Sequence, residues 1–157
     1  MDMTYTQNAS NGLPDPQTDA EFYEGVPMRR LMAWVIDAVI IVAISVIAVL
    51  VASVLTLGIA LFFTGFLFMA TSFIYRVGFI SAKSATPGML AMGIEFRTMA
   101  GQKFDTKDAL IHTGLYTVAV ISFFGQILSM ITMSATEYGR GLPDFVLGST
   151  AINRPLQ

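Results

Sequence analysis

The chain contains a long apolar segment at residues 31–55, LMAWVIDAVIIVAISVIAVLVASVL. Its 25 residues contain one charged side chain, Asp37, and neither glycine nor proline. About 20 consecutive apolar residues are enough to cross the hydrocarbon core of a bilayer as a helix. The stretch therefore predicts a membrane-spanning helix with length to spare for tilt.

A second apolar run follows almost at once. Residues 59–75 carry no charge and end at Arg76, and Thr56-Leu57-Gly58 is the only plausible break between the two runs. We therefore expect a transmembrane helical hairpin with spans at about 31–55 and 58–75, joined by a tight turn.

A third membrane segment is predicted at residues 114–134, which also lack charge. As a full crossing, this segment places Asp144 on the side of the membrane opposite Arg30, and this is the arrangement we expect. In the alternative, Asp144 meets Arg29 or Arg30, and the segment must re-enter the membrane by bending near residues 125–126.

The composition limits the classes of function. Hydrophobic residues make up 54% of the chain and charged residues only 13%, against about 25% charged in ordinary soluble domains. A net charge of −2 gives no basic footprint for a nucleic-acid partner. With no cysteine and one histidine, we expect no metal site and no cofactor. We also expect no enzyme, since no nucleophile–base set or phosphate-binding loop is visible.

Three regions divide the chain by polarity. Residues 1–28 are polar and acidic, and we expect a disordered cytoplasmic tail there. Residues 29–153 form the predicted membrane domain, and residues 154–157 a short C-terminal tail.

Short elements are expected between and after the spans. Ile94–Arg97 alternates apolar and charged residues and predicts a strand, and residues 145–152 predict a second. Thr106 looks like the start of a capped helix, and Thr86-Pro87-Gly88 the start of a short helix along the membrane surface. The predicted class is an all-α membrane protein whose cytoplasmic loop carries a short strand and an amphipathic helix.

Basic residues set the expected orientation. Seven Lys and Arg side chains flank the hairpin at residues 29–30 and 76–107, and the turn at residues 56–58 has none. Because positively charged loops stay in the cytoplasm, we expect the N-terminus and the central loop inside.

Asp37 is the leading candidate for a functional residue. A carboxylate inside a span costs roughly 2.5–3.5 kcal/mol by insertion scales at mid-membrane. It follows Arg30 by seven residues, nearly two helical turns, so the two share one helix face. Two interpretations stay open, an ion or proton site and a structural ion pair with Arg30.

Asp108 and His112 form a weaker candidate. They are four residues apart and so share a helix face at the mouth of the third segment. The pair could gate protons, since histidine titrates near neutral pH. The alternative is an ordinary surface pair at the head of a helix.

Three sequence blocks resemble the RDD family of small bacterial membrane proteins, which is named for an arginine and two aspartates. They are VPMRRLMAWVID at residues 26–37, SATPGMLAMGI at 84–94 and LPDFVLGSTAI at 142–152. The resemblance implies that the family arginine is Arg29 or Arg30 and that the aspartates are Asp37 and Asp144. It also implies a multi-pass protein of the bacterial inner membrane.

A role in transport has been suggested for that family, and some members are associated with sodium/proton antiport. The first hypothesis is therefore a transport module in which Arg30 and Asp37, with Asp144, bind a monovalent cation or proton. So few helices would have to assemble as a homo-oligomer. The alternative is an accessory protein that binds a partner membrane protein and uses the Arg–Asp pair only for structure.

Overall fold

Two long apolar helices dominate the computed structural model, which describes residues 12–154. Helix α1 is Val26–Leu55 and helix α2 is Thr64–Lys83. A 3₁₀ turn at Ile59–Phe63 joins them, preceded by Gly58, whose φ of +93° suits glycine. Both helices are long and apolar enough to cross a membrane, as the two predicted spans require, and the second extends to Lys83, beyond the predicted end at residue 75.

The outer faces of both helices are not covered by the rest of the described chain. In each, only 11% of the most apolar 18-residue window is buried inside the protein. Large side chains such as Val54, Leu55 and Phe62 are more than three-quarters exposed. Water would not tolerate so continuous an apolar surface, so these faces fit a lipid environment.

The third apolar segment is two helices rather than one. Helix α4, Thr106–Ile121, and helix α5, Phe124–Ala135, meet at a bend of 116°. The expectation of one continuous helix over 114–134 is therefore wrong, and the break lies before residues 125–126. The Ser122 hydroxyl accepts the Gly125 amide at 3.1 Å. A Cβ at Gly125 would lie 2.4 Å from that hydroxyl, so glycine permits the return.

A two-stranded sheet completes the fold. Strand β1, Ile94–Thr98, pairs antiparallel with strand β2, Ser149–Asn153, with Phe96 opposite Ala151. The first predicted strand is confirmed. The all-α expectation is corrected to a mostly helical fold with a small sheet.

The second predicted strand begins too early. Residues Leu142–Leu147 form a short helix, α6, and the strand starts only after Gly148, whose φ is +68°. Pro143 in the first turn suits a helix start. Because β2 pairs with β1, the end of the described chain lies at the same end of the molecule as the start of α1. The expected placement of Asp144 opposite Arg30 is therefore wrong.

The core lies at this sheet end, not between the long helices. Helix α3, Pro87–Ala91, packs against α1 there, and its first turn is capped by the Thr86 hydroxyl. The largest cluster of buried apolar side chains surrounds it and includes Val26, Ile80, Met89, Ile94, Phe96 and Ala109.

The acidic segment before α1 is packed over most of its described length. Leu13, Phe22 and Tyr23 are buried, and the Asn153 side-chain amide donates to the carbonyls of Glu21 and Glu24 at 2.7 and 3.0 Å. The expectation of disorder is therefore wrong for residues 12–28. The rest of that predicted tail, residues 1–11, and residues 155–157 lie outside the described residues.

Candidate functional site

Asp37 is buried and joins three helices. Its Oδ1 accepts hydrogen bonds from the Tyr75 hydroxyl and the Gly88 amide, both at 2.8 Å. Its Oδ2 accepts the Thr86 hydroxyl at 2.6 Å. The carboxylate of α1 thereby holds α2 and the start of α3.

The Thr86-Pro87-Gly88 sequence is shaped for this contact. Thr86 is extended and caps α3, and Pro87 occupies the first turn, where no amide donor is lost. A Cβ on Gly88 would lie 2.2 Å from the Ala33 carbonyl and 2.9 Å from the Asp37 carboxyl carbon. Only glycine lets the α3 backbone approach α1 closely enough for its amide to reach Asp37.

Arg30 does not pair with Asp37, so the expected Arg30–Asp37 pair is wrong. The two residues are about 10 Å apart along the helix axis, and Arg30 instead reaches Asp144, with its Nη1 2.6 Å from Oδ2. The neighbouring Arg29 donates to the Met92 carbonyl at 3.0 Å. Of the two arginines that sequence left open, Arg30 is the one that binds a family aspartate.

Asp144 is fully buried beneath several donors. Besides Arg30, its carboxylate is 3.0 Å from His112 Nε2 and accepts the Gly141 amide at 2.9 Å and the Ser149 hydroxyl at 3.3 Å. Burial alone would raise the pKa of Asp144, but the Arg30 charge and the contacts with His112 hold that pKa well below its usual range. The group is therefore an ionised carboxylate at neutral pH.

The expected Asp108–His112 pair is also wrong. Asp108 belongs to a capping box at the start of α4, in which its amide donates to Asp105 at 2.8 Å and its carboxylate accepts the Asp105 amide. His112 is buried beside Phe96 and faces Asp144. The Asp108 carboxylate is therefore bound to the N-cap amide of Asp105 and not to His112.

A cavity of about 600 Å³, partly open, lies among α1, α2, α4 and α5. Its wall includes Arg30, Asp37 and His112, so it brings together three of the predicted site residues. Asp144 lies behind the wall, and Arg29 and Asp108 are not part of it.

The sequence reasoning missed a polar cluster in this wall. The Tyr116 hydroxyl accepts hydrogen bonds from Trp34 Nε1 at 2.8 Å and from Arg76 Nη2 at 3.3 Å, and the Arg76 guanidinium lies 4.3 Å from the Tyr116 ring centre. Thr113 lies in the same wall. A signal was present, because Thr113 and Tyr116 are three residues apart and share a helix face.

The part of the chain from residue 12 to 154 contains no group of three or more His, Cys, Asp or Glu side chains that could hold a metal ion.

A sequence model of the RDD family matches residues 25–148. The chain belongs to the RDD family. No curated protein and no solved structure matches it.

The matched region of this RDD protein includes its arginine and both aspartates. These residues form two separate clusters, Asp37 with α2 and α3, and Asp144 with Arg30 and His112. Each carboxylate has three hydrogen-bonding partners outside its own helix. Chemically, such carboxylates are suited to tying helices together.

Proposed function

We propose that this RDD protein is a non-enzymatic membrane protein that acts by binding, with Arg30, Asp37 and Asp144 fixing the walls of its cavity. The observation that carries the proposal is that both family aspartates already have their hydrogen bonds filled from within the chain. A buried carboxylate with its partners in place adds rigidity, and a rigid wall suits a binding cavity.

In this proposal the protein is a multi-pass protein of the bacterial inner membrane, with its sheet end in the cytoplasm. Basic side chains support this orientation. Arg30, Arg140 and Arg154 all contact the sheet or α6 at that end, whereas the turn at residues 56–58 has no basic residue. The bent pair of α4 and α5 would then re-enter from the cytoplasmic side.

The binding partner in this proposal is another membrane protein, a second copy of the chain or a small ligand. Two long helices with bare apolar faces leave ample surface for another helix within the bilayer. The cavity, at about 600 Å³, lies within the range of about 300–1,000 Å³ that is usual for small-molecule sites.

Transport of a cation or proton is the second candidate, and one observation favours it. Asp37 lines the cavity, and among the described ion pairs none includes its carboxylate. A cation or proton entering the cavity could neutralise this charge. The exchange would proceed by protonation of Asp37 without any pairing to Arg30.

Proteoliposomes containing wild-type protein, Asp37→Asn or Glu137→Gln separate the two functions. Glu137 is exposed and serves as the matched control. Cation flux would be measured against a pH gradient with a panel of monovalent cations, and stability in parallel. The binding proposal predicts that wild type gives no more flux than protein-free liposomes and that Asp37→Asn loses stability.

The opposite result would overturn the binding proposal. It is a pH-dependent flux through wild type that Asp37→Asn abolishes while the variant stays folded and Glu137→Gln keeps its flux. That outcome would establish the transport function instead.

A further inference from the structure

Arg76 is a cation with no acid to balance it. None of the ion pairs in residues 12–154 includes its guanidinium. Its recorded contacts are with the ring and hydroxyl of Tyr116, and its Nε is buried without a hydrogen-bond partner. A half-buried guanidinium that has no acidic partner favours an anion beside it.

Further donors lie in the same cavity wall. Thr113 is completely buried, and its hydroxyl has no hydrogen-bond partner. The Tyr116 hydroxyl accepts two hydrogen bonds, from Trp34 and Arg76, which leaves its own proton for an acceptor. Arg76 Nε and the hydroxyls of Thr113 and Tyr116 therefore each have a proton without an acceptor along one cavity, which is the pattern expected for binding an anionic group.

The position of the cluster along the helices indicates the kind of anion. Arg76 is the first charged residue after the uncharged run 59–75, and Trp34 lies close to the start of the run 31–55. Both residues therefore lie at the level where hydrocarbon gives way to lipid headgroups, as interfacial Trp, Tyr and Arg do in membrane proteins.

Apolar side chains line much of the rest of the cavity, beside the Arg30, Asp37 and His112 side chains described above. They include Leu31, Ile80, Met130 and Met133, and the exposed sides of Leu31 and Met130 continue into the uncovered surface of the helices. A ligand that fills this space has an anionic head and a hydrocarbon body, which is the chemistry of a lipid.

We propose that the cavity binds one anionic phospholipid from the bilayer, whose phosphodiester accepts hydrogen bonds from Arg76, Tyr116 and Thr113 and whose hydrocarbon leaves the cavity over the uncovered apolar surface of the long helices. The proposal rests on the proposed binding function and names its ligand. Arginine matches phosphate oxygens with two parallel N–H bonds, and basic pockets between membrane helices bind anionic headgroups.

Trp34 makes the proposal measurable, because it is the one tryptophan of the sequence and it lines the cavity. The full-length protein is placed in nanodiscs of phosphatidylcholine that contain increasing mole fractions of phosphatidylglycerol brominated on its chains. Equal fractions of brominated phosphatidylcholine are the reference. We expect the anionic lipid to quench Trp34 with a saturating component at low mole fraction, and the zwitterionic lipid to quench only in proportion to its amount.

Three variants test whether the saturating component of Trp34 quenching comes from lipid bound in the cavity. Arg76→Gln should weaken it about tenfold or more, equivalent to about 1.4 kcal/mol, and Thr113→Val should weaken it several-fold. Lys83→Gln removes a charge from the same helix at an exposed position outside the cavity, so it should leave the component unchanged. Thr113→Val, nearly isosteric, provides the test if Arg76→Gln does not fold.

Several outcomes would overturn the proposal. They are equal quenching by the two lipids, a saturating component that survives in Arg76→Gln and Thr113→Val, or saturation by brominated stearate and not by phosphatidylglycerol. If any of them occurs while wild type still gives no cation flux, the ligand is wrong and the binding function stands. Cation flux through wild type overturns the binding function itself, whatever the lipid result.

Discussion

The two family aspartates are both buried, yet their surroundings differ in charge. Asp37 is held by two hydroxyls and a backbone amide, all uncharged. Asp144 is held by the Arg30 guanidinium and the His112 ring as well as by the Gly141 amide. One carboxylate lies within the long apolar hairpin and the other at the sheet end.

The two aspartates differ in the charge of their partners because the cost of burying a cation differs between the two sites. A cation in direct contact with the Asp37 carboxylate would have to be fully buried with it, at a high desolvation cost. Uncharged donors from Tyr75, Thr86 and Gly88 satisfy the carboxylate without that cost. Asp144 lies where α1, α4 and α6 converge beside the sheet, and there an arginine and a histidine can both reach it.

Asp144→Asn is expected to have the largest effect. It leaves the guanidinium of Arg30 without its partner, and breaking one side of a buried ion pair costs about 3–5 kcal/mol. Unfolding of the purified protein in mixed micelles would measure the change in free energy. Glu137→Gln, which removes an exposed carboxylate, should change it by less than about 0.5 kcal/mol. A loss of under about 1 kcal/mol in Asp144→Asn would mean that the ion pair does not hold the fold.

Gly88→Ala should come next, at about 3 kcal/mol, because the added methyl group would press on the Ala33 carbonyl, which cannot move independently of α1. The same unfolding measurement applies. Gly78→Ala is the matched control in α2, where an added Cβ meets nothing within 4 Å. It should be neutral or stabilise the protein by up to about 1 kcal/mol. Equal effects of the two changes would exclude the close contact of α3 with α1.

Asp37→Asn should cost less than either, about 1–2 kcal/mol. The amide oxygen can keep the bonds from Tyr75 and Gly88, the Thr86 hydroxyl can rotate, and no cation is left unpaired. The loss should therefore be about half that of Asp144→Asn or less, measured under identical conditions. An equal or greater loss of stability would show that Asp37 forms an ion pair that is absent from the contacts described above.

The smallest effect near neutral pH is the pH dependence of stability. The folded-state pKa of Asp144 lies below its unfolded value of about 3.9. Its contribution is therefore fully present above about pH 5 and is lost as the pH falls through the folded-state pKa. A series of unfolding curves from pH 7 downward should show a decline that is shallower in Asp144→Asn. Identical slopes in both proteins would contradict the assignment.

The hairpin could be predicted because two uncharged runs of span length leave few alternatives. The three RDD-like blocks pointed to Arg29 or Arg30, to Asp37 and to Asp144 as candidate residues. The Arg30–Asp144 pairing was stated only as an alternative, because the two residues are 114 positions apart in sequence. Spacing along one helix suggested the nearer aspartate instead.

The return of the chain at residues 122–123 was foreseen only as the alternative to a full crossing, with the bend placed near residues 125–126. It lies inside a continuous uncharged run, and the break includes Phe123 at a φ of +50°, a conformation that phenylalanine rarely adopts. The four-residue spacing of Asp108 and His112 was real, but Asp108 caps α4 instead. Thr113 and Tyr116 were readable as one helix face, although nothing in the sequence linked that face to Arg76.

Double-mutant cycles measure whether Arg30 is coupled to Asp144 and not to Asp37. Arg30→Met would be combined with Asp144→Asn and, separately, with Asp37→Asn, and unfolding free energies measured for all variants. Residues in contact couple by about 0.5–3 kcal/mol, whereas independent sites add to within about 0.5 kcal/mol. We predict a coupling of about 2 kcal/mol for Arg30 with Asp144 and additivity for Arg30 with Asp37. Strong coupling to Asp37, with additivity for Asp144, would contradict the account.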